Sequence, residues 1–553
     1  MALVLQVDGR SVEVRGESSS LLDVLRDELG LRSAKDGCSP QGQCGCCTVL
    51  VEGEARVACV TPVRRVAGRA VTTLEGIPEE RRVRWAEAFS ACGASQCGFC
   101  TPGIVVRLMA EADGAPVPAE RASQALLAHL CRCTGWRSIL EAAATLPAAD
   151  PGRDLAAAAH RAAIEGGVPQ EVGVAVALGH GGFADDLAPP GALVAVPDGD
   201  GGWAIGESVA EARAAAGKVQ GRRSGGAVGH PLELPPGDWD LTLRTTWVEP
   251  AYVEPDASWC EPGGEPVTPL GNGGAFGGKV ASVVPAAARS LADRHRRPVR
   301  VLLSREDVVR LGPKRPPMAA GVNRDGTGIV RVVRTPGIAE AIASVAPGLV
   351  VEEVDVIGPP TSASLRAAGW AEAAVLLAAL GSRAGSPAER ALRAGSPAVP
   401  GRASLAAPGA GADAPGTGGP WVTIGSPAGA TAAAAVTCDG PGLPTAVRVR
   451  VSCGAPLDEV VLRSYAIGAA HMALGWVCSE AIAVGADGAP EDLTIRSFGV
   501  LRARDTPPIE VHIEASDGPP VNGSDAVFAA VAAAAWIAQG RPPEWPTTAR
   551  RLS

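Results

Sequence analysis

The sequence predicts an α+β protein whose architecture changes along its length: short strands around one helix, then a run of helices, then a long mixed α/β stretch. Three observations predict this. Two-residue alternation marks residues 1–76, helical spacing marks 77–148, and strand and helix signals interleave from about 165 onward. At 553 residues the chain is longer than one ordinary domain.

The first element is a hairpin. Leu3, Leu5 and Val7 share a face, Asp8-Gly9 supplies a two-residue turn, and Val12 and Val14 return. Ser20 then starts a helix as N-cap, with Asp23 three residues on. Leu22, Leu25 and Leu29 form its apolar stripe and Gly30 stops it. "CTVLVEGEARVACV" reads as a second hairpin. Four helices follow, near 83–89, after Thr101, near 121–130 and after Ser138. Thr101-Pro102 is the strongest start among them, an N-cap followed by proline. "PAADPGRD" reads as a linker, assigned to 149–164.

Beyond it, 165–380 reads as a first mixed part. "RRPVRVLLSRED" (296–307) reads as a strand, and "GVNRDGTGIVRVVR" (321–334) as a hairpin around Asp325-Gly326. Residues 381–420 are low in complexity, with "RAGSPA" at 383 and again at 393, and read as a second linker. A second mixed part, 421–553, ends in "DAVFAAVAAAAWIAQG", a helix stopped by Gly540.

Net charge is −9, which excludes an ordinary nucleic-acid surface. No apolar run reaches the ~18 residues of a membrane span, so no membrane partner is expected. The N-terminus has neither a basic n-region nor a long apolar h-region, and a cytoplasmic location is expected.

Ten of the 14 cysteines precede residue 134, and thiols in a reducing compartment serve as metal ligands more often than as disulfides. The first set is Cys38, Cys44, Cys46, Cys47 and Cys59. A plant-type two-iron site uses C-x4-C-x2-C with a distant fourth cysteine. Cys44 and Cys47 fit that spacing, Cys59 supplies the fourth thiol, and Cys38 lies one residue further from Cys44 than the template has it. Gly37, Gly42 and Gly45 let the loop aim backbone N–H groups at sulfur. Cys46 cannot face inward together with both neighbours and is set aside. The second set is "QCGFCTPG" (Cys97, Cys100) with "CRCTGW" (Cys131, Cys133), and Cys92 is spare. Cys100 precedes a helix N-terminus, where the dipole favours a thiolate. Zinc remains the rival to iron–sulfur for either set. Cys260, Cys438, Cys453 and Cys478 are isolated and read as inert.

These residues resemble a known family. "GCSPQGQCGCCTVLVEG", "QCGFCTPGIV" and "LCRCTGW" are similar to the iron–sulfur subunit or domain of molybdenum hydroxylases, the xanthine dehydrogenase, aldehyde oxidoreductase and carbon monoxide dehydrogenase relatives. The resemblance implies a β-grasp ferredoxin-like domain and a four-helix domain, each with one [2Fe–2S] cluster. It implies Cys38, Cys44, Cys47 and Cys59 as ligands of the outer one, and Cys97, Cys100, Cys131 and Cys133 as ligands of the one nearer the pterin. More faintly, 165–553 resembles a shortened molybdopterin-binding subunit, in "GFADDLAPPGALVAVP", "YVEPDASW", "GNGGAFGGK", "RRPVRVLLSREDVVRLGPKRPPM" and "DTPPIEVHIE". By that resemblance Gly274, Ala275, Phe276, Gly277, Gly278 and Arg366 would face molybdopterin. The glutamate that family members carry before the last helix is not found. No Glu lies between Glu514 and Glu544, and Ser524 and Asp525 read as the cap of that helix. No catalytic residue is therefore assigned.

The resulting expectation is an iron–sulfur electron-transfer subunit of a molybdenum hydroxylase. Molybdopterin, and possible FAD, would then sit on separate partner chains. Two alternatives stand beside it: a self-contained hydroxylase of an N-heterocycle or aldehyde, and a zinc-stapled interaction protein.

Overall fold

Five short strands build the N-terminal sheet of the computed structural model, which describes residues 3–14, 19–112, 114–146, 152–217, 226–381, 419–440 and 442–548. The strand order is Arg10–Val14, Leu3–Val7, Ala70–Thr72, Thr48–Val51, Glu54–Val57. Both expected hairpins are present, with Leu3 opposite Val14 and Thr48 opposite Val57. The strand Ala70–Thr72 was not expected. It runs parallel to Leu3–Val7, and the Asp8 carboxylate accepts from the Thr73 N–H and hydroxyl, both at 2.8 Å, which fixes its end. Ser20 and Asp23 form the expected capping box on Leu21–Asp23, and the helix continues through a wider turn, Val24–Glu28.

Helices Glu79–Ala91, Thr101–Met109, Ala119–Ala125 and Arg137–Ala144 follow, the third ending in a 3-10 turn, Leu126–Ala128. Trp85, Phe89 and Trp136 are fully buried. They join the core of the N-terminal sheet, so both thiol-bearing units share one hydrophobic interior.

The stretch 149–164, expected as a linker, is from residue 155 a helix, Leu155–Gly166. Asp154 caps it by accepting from the N–H groups of Ala156 and Ala157. Asp154 followed by an alanine-rich run is a helix start in its own right. The low-complexity stretch 382–418 lies outside the described residues.

Beyond the helical domain the described residues build three four-stranded sheets. One orders Trp203–Gly206, Leu193–Pro197, Val299–Leu302, Ala257–Cys260. The next orders Leu349–Val354, Gly328–Val333, Met318–Val322, Leu241–Arg244. The third orders Val422–Gly425, Thr431–Thr437, Ala446–Ser452, Ile509–Ile513. The hairpin around Asp325-Gly326 pairs Met318 with Val332. Helices Trp370–Gly381, Glu459–Cys478 and Ser524–Ala538 pack into one core shared by the second and third sheets. The two mixed parts thus fold together. Helix Glu459–Cys478 is long and apolar enough to cross a membrane, but 89% of its apolar window is buried inside the protein, as a core helix would be.

Candidate metal centres

The first thiol set sits where the loop after Val24–Glu28 meets the 3-10 turn Ala58–Val60. Cys38, Cys44, Cys47 and Cys59 are all buried. Gln41 and Gln43 donate their backbone N–H groups to Cys38 Sγ at 3.2 and 3.5 Å, and Cys59 donates its own to Cys47 Sγ at 3.4 Å. The sulfurs touch closely enough to disturb one another. Cys44 and Cys59 push the Cys38 thiol down, while Cys38 pushes both of them up. Four such thiols in a dry site cannot all ionise by themselves. A bound cationic centre removes that conflict, so the donor set fits a metal cluster. Cys46 is also buried, beside Cys44, and donates to the Cys44 carbonyl at 3.7 Å.

The second set is assembled from a helix start and a loop. Cys100 is the N-cap of Thr101–Met109, with Pro102 just inside. Cys131 and Cys133 lie in the loop before Arg137–Ala144. Cys133 Sγ lies 3.5 Å from Cys97 Sγ. Cys100 pushes the Cys131 thiol down to about 6 and is itself pushed up. The second-set thiols stand in pairs, which suits a two-iron rhomb with two thiolates per iron better than one tetrahedral zinc. Cys92 is half-buried against Thr145, away from both sets.

A backbone hydrogen bond joins the sets. The Leu130 N–H, next to Cys131, donates to the carbonyl of Cys44 at 3.0 Å. Packing at this junction is tight. Gly45 has φ +71°, and a Cβ there would lie 2.4 Å from the His129 ring.

The glycine-rich loop from the mixed region covers the second set. A Cβ on Gly274 would lie 3.0 Å from Cys97 Sγ and 3.2 Å from Cys133 Sγ. Gly277 packs on the 364–365 backbone, and Gly278 on the Tyr252 ring. Arg366, which the resemblance sets facing molybdopterin, packs on this loop. Its N–H donates to the Phe276 carbonyl at 3.1 Å, and its guanidinium lies 4.8 Å from the Phe276 ring. Ala275 is buried beneath.

The space beside Phe276 and Arg366 is a cavity of about 30 Å³, also lined by Arg132, Arg315, Trp476 and Glu480. Cofactor-sized pockets take roughly 300 Å³ or more. Arg366 is moreover already engaged, with Asp525 Oδ1 at 3.1 Å, Ser524 Oγ at 3.2 Å and Met472 Sδ at 3.4 Å. As they stand, these residues do not fit a molybdopterin.

Ser524 and Asp525 do not cap the last helix. Ser524 is already its first residue. Asn522 Oδ1 accepts from the Asp525 N–H at 3.0 Å, and Glu165 accepts from the N–H groups of Gly523 and Ser524 at 3.1 and 2.8 Å. Burial holds the Asp525 carboxyl above its ordinary range, and Arg366 opposes that. Glu165 is not marked in the sequence as a cap because the N–H groups it accepts from lie more than 350 residues away.

Residues 73–144 match the family model described as a [2Fe-2S] binding domain. The chain is 36% identical over 141 residues to a probable xanthine dehydrogenase subunit of Bacillus subtilis, covering 25% of this chain and 81% of that protein. It is 38% identical over 139 residues to the nicotinate dehydrogenase small FeS subunit of Eubacterium barkeri, covering 25% and 87%. The chain belongs to the xanthine dehydrogenase family of molybdenum hydroxylases. Its α+β fold is that of the family's larger members along its whole length. The aldehyde oxidoreductase structure from Desulfovibrio gigas aligns over 99% of both chains, with a TM-score of 0.68 and 16% identity. Sequence likeness to the aldehyde oxidoreductase of Megalodesulfovibrio gigas is 37% over 162 residues, covering 28% of this chain and 18% of that protein. Within the family, then, this chain joins an iron–sulfur part that is close in sequence to a longer part that is alike in fold alone.

Proposed function

We propose that the chain is the iron–sulfur electron-transfer component of a xanthine dehydrogenase-like hydroxylase in the cytoplasm. Cys38, Cys44, Cys47 and Cys59 would hold one [2Fe–2S] cluster, and Cys97, Cys100, Cys131 and Cys133 a second. Such clusters supply one-electron transfer. The chain's own residues bury the thiols, aim N–H groups at Cys38 and Cys47, and hold the two sets in register. The carrying observation is the Leu130-to-Cys44 hydrogen bond, which connects a neighbour of one ligand to another ligand in a single contact. Molybdopterin belongs on a partner chain in this reading, and a flavin, where used, on another. The small FeS subunit named among the relatives supports that division of labour. No residue is assigned the role of base.

The whole-chain fold likeness favours a second reading, a self-contained hydroxylase. Metal analysis of the full chain, purified anaerobically without partners, separates the two. Iron and acid-labile sulfide in equal amounts, two paramagnetic signals on reduction and no molybdenum are expected. Stoichiometric molybdenum would establish the second reading instead, and zinc without iron would overturn both.

A further inference from the structure

Two buried arginines reach the two thiol sets, and they differ in their counter-charge. Arg132 lies between Cys131 and Cys133 and bonds both oxygens of Glu480, so its charge is cancelled locally. Arg305 opens helix Arg305–Leu311 and is completely buried. Its Nη2 donates to the carbonyls of Gly37 and Val253, each at 2.8 Å, and its guanidinium lies 5.8 Å from the Tyr252 ring. Its Nε and Nη1 have no hydrogen-bond partner. Gly37 immediately precedes Cys38, and a Cβ on it would lie 3.1 Å from the sulfurs of Cys44 and Cys46.

The other charges near this set do not match that role. Asp36 is paired with Arg213 at 3.0 Å, and the two cancel. Arg496 holds the Gln43 carbonyl at 3.1 Å but is exposed, where water and salt screen it. A buried guanidinium without a carboxylate is costly, and a neighbouring anion offsets that cost. A two-iron centre on four thiolates is net negative and gains one further negative charge on reduction. A fixed cation beside it favours the reduced form.

We propose that Arg305 raises the reduction potential of the centre held by Cys38, Cys44, Cys47 and Cys59, so that the region beyond residue 165 tunes the redox couple of the N-terminal domain. Arg305 is a positioning residue: it acts through charge and through the Gly37 carbonyl, and it touches no sulfur. The inference rests on the cluster reading above.

The test is a titration of the full iron-loaded chain with dithionite and mediators, followed by electron paramagnetic resonance. Each titration step adds one electron to a centre and makes or breaks no bond. The signal of the first set is identified by its loss in Cys47→Ser. Arg305→Gln keeps a donor for Gly37 but removes the charge, and Arg305→Lys keeps the charge. In Arg305→Gln the first-set equilibrium is expected to shift about tenfold toward the oxidised form, about 59 mV for one electron. The second-set potential is expected to stay put, and Arg305→Lys to stay near wild type. An unchanged potential in Arg305→Gln overturns the proposal, as does an equal shift in both variants. Where Arg305→Gln fails to load the first centre, loading of Arg305→Lys at the wild-type potential supports the charge role, and any other result for Arg305→Lys overturns it. Absence of both signals from the wild-type chain would instead defeat the cluster reading itself.

Discussion

Arg132 and Glu480 form a two-bonded ion pair, 2.5 and 2.7 Å, between a residue flanked by two second-set cysteines and the segment just beyond the long core helix. Both side chains are buried, and the Arg132 Nε also donates to the Pro250 carbonyl at 3.1 Å. Glu480→Gln leaves a buried guanidinium without its counter-charge. We expect a loss of about 3 kcal/mol or more in chemical denaturation of the full chain. Arg463 and Glu141 join the same two regions at 2.8 Å, but both are more than a third exposed. Glu141→Gln should cost less than about 1 kcal/mol. Equal effects in the two variants would contradict the burial argument.

Gly274 brings the mixed region against the sulfurs of the second thiol set. Its φ is +78°, and an added Cβ meets Cys97 Cβ at 2.9 Å as well as the two sulfurs. Gly274→Ala combines backbone strain with a clash on two cluster ligands. The expected outcome is loss of roughly half of the bound iron, with the first-set signal retained. Iron analysis and paramagnetic resonance on the same sample check it.

His471 sets part of the acid limit. It is fully buried in the long core helix, and its Nε2 bonds the Leu501 carbonyl at 3.1 Å. Burial pushes it down to about 3, with the nearby Arg132 adding to the shift. The unfolded chain therefore takes up this proton near pH 6.5, where the native state does not. Stability from this group is complete above pH 6.5 and falls as pH drops toward 3, by up to about 1.4 kcal/mol per unit. Glu254 acts in the opposite direction: burial raises it to about 7, against the pull of Lys279. His471→Gln keeps a donor for Leu501 and leaves Glu254 alone. The variant should lose less stability than wild type between pH 6.5 and 5, measured as denaturation midpoints at each pH. Parallel curves would rule the histidine out.

What the sequence disclosed was local. Asp8-Gly9 and Asp325-Gly326 dictate turns, Ser20 with Asp23 dictates a cap, and the cysteine spacings bring each thiol set to its loop. These signals lie within a few residues of one another. The strand Ala70–Thr72 is three residues long and owes its existence to Leu3–Val7, which no local pattern announces. The helix Leu155–Gly166 carried a signal, Asp154 before a run of alanines, masked by the neighbouring "PAADPG". Arg305 and Glu165 belong to another class. Each is an ordinary charged residue until the fold brings Gly37 or Gly523 to it. The family resemblance singled out Arg366 and the glycine loop as facing molybdopterin, whereas the small cavity there depends on how Asp525 and Met472 pack.

Glu165 gives the last prediction. Its carboxylate closes the start of helix Ser524–Ala538 through two backbone N–H groups and pairs with Arg161 at 3.2 Å, all without access to water. Arg161 in turn holds Cys453 Sγ and the Val521 carbonyl. Burial holds the Glu165 carboxyl above its ordinary range, while Arg161 opposes that most strongly. Its charge complements the positive end of the helix dipole as well as the guanidinium. Glu165→Ala removes the cap and strands Arg161, with an expected loss of about 3 kcal/mol or more. Glu165→Gln keeps an oxygen for one N–H group and should cost less. Asn522→Ala removes the bond from the Asp525 N–H and the amide's bonds to the carbonyls of Ile164 and Glu165, at 3.3 and 3.0 Å, but strands no charge, and should cost less than Glu165→Ala. Denaturation of the three variants orders them. If Glu165→Ala proved no worse than Asn522→Ala, the Glu165 carboxylate would not be what anchors the C-terminal helix.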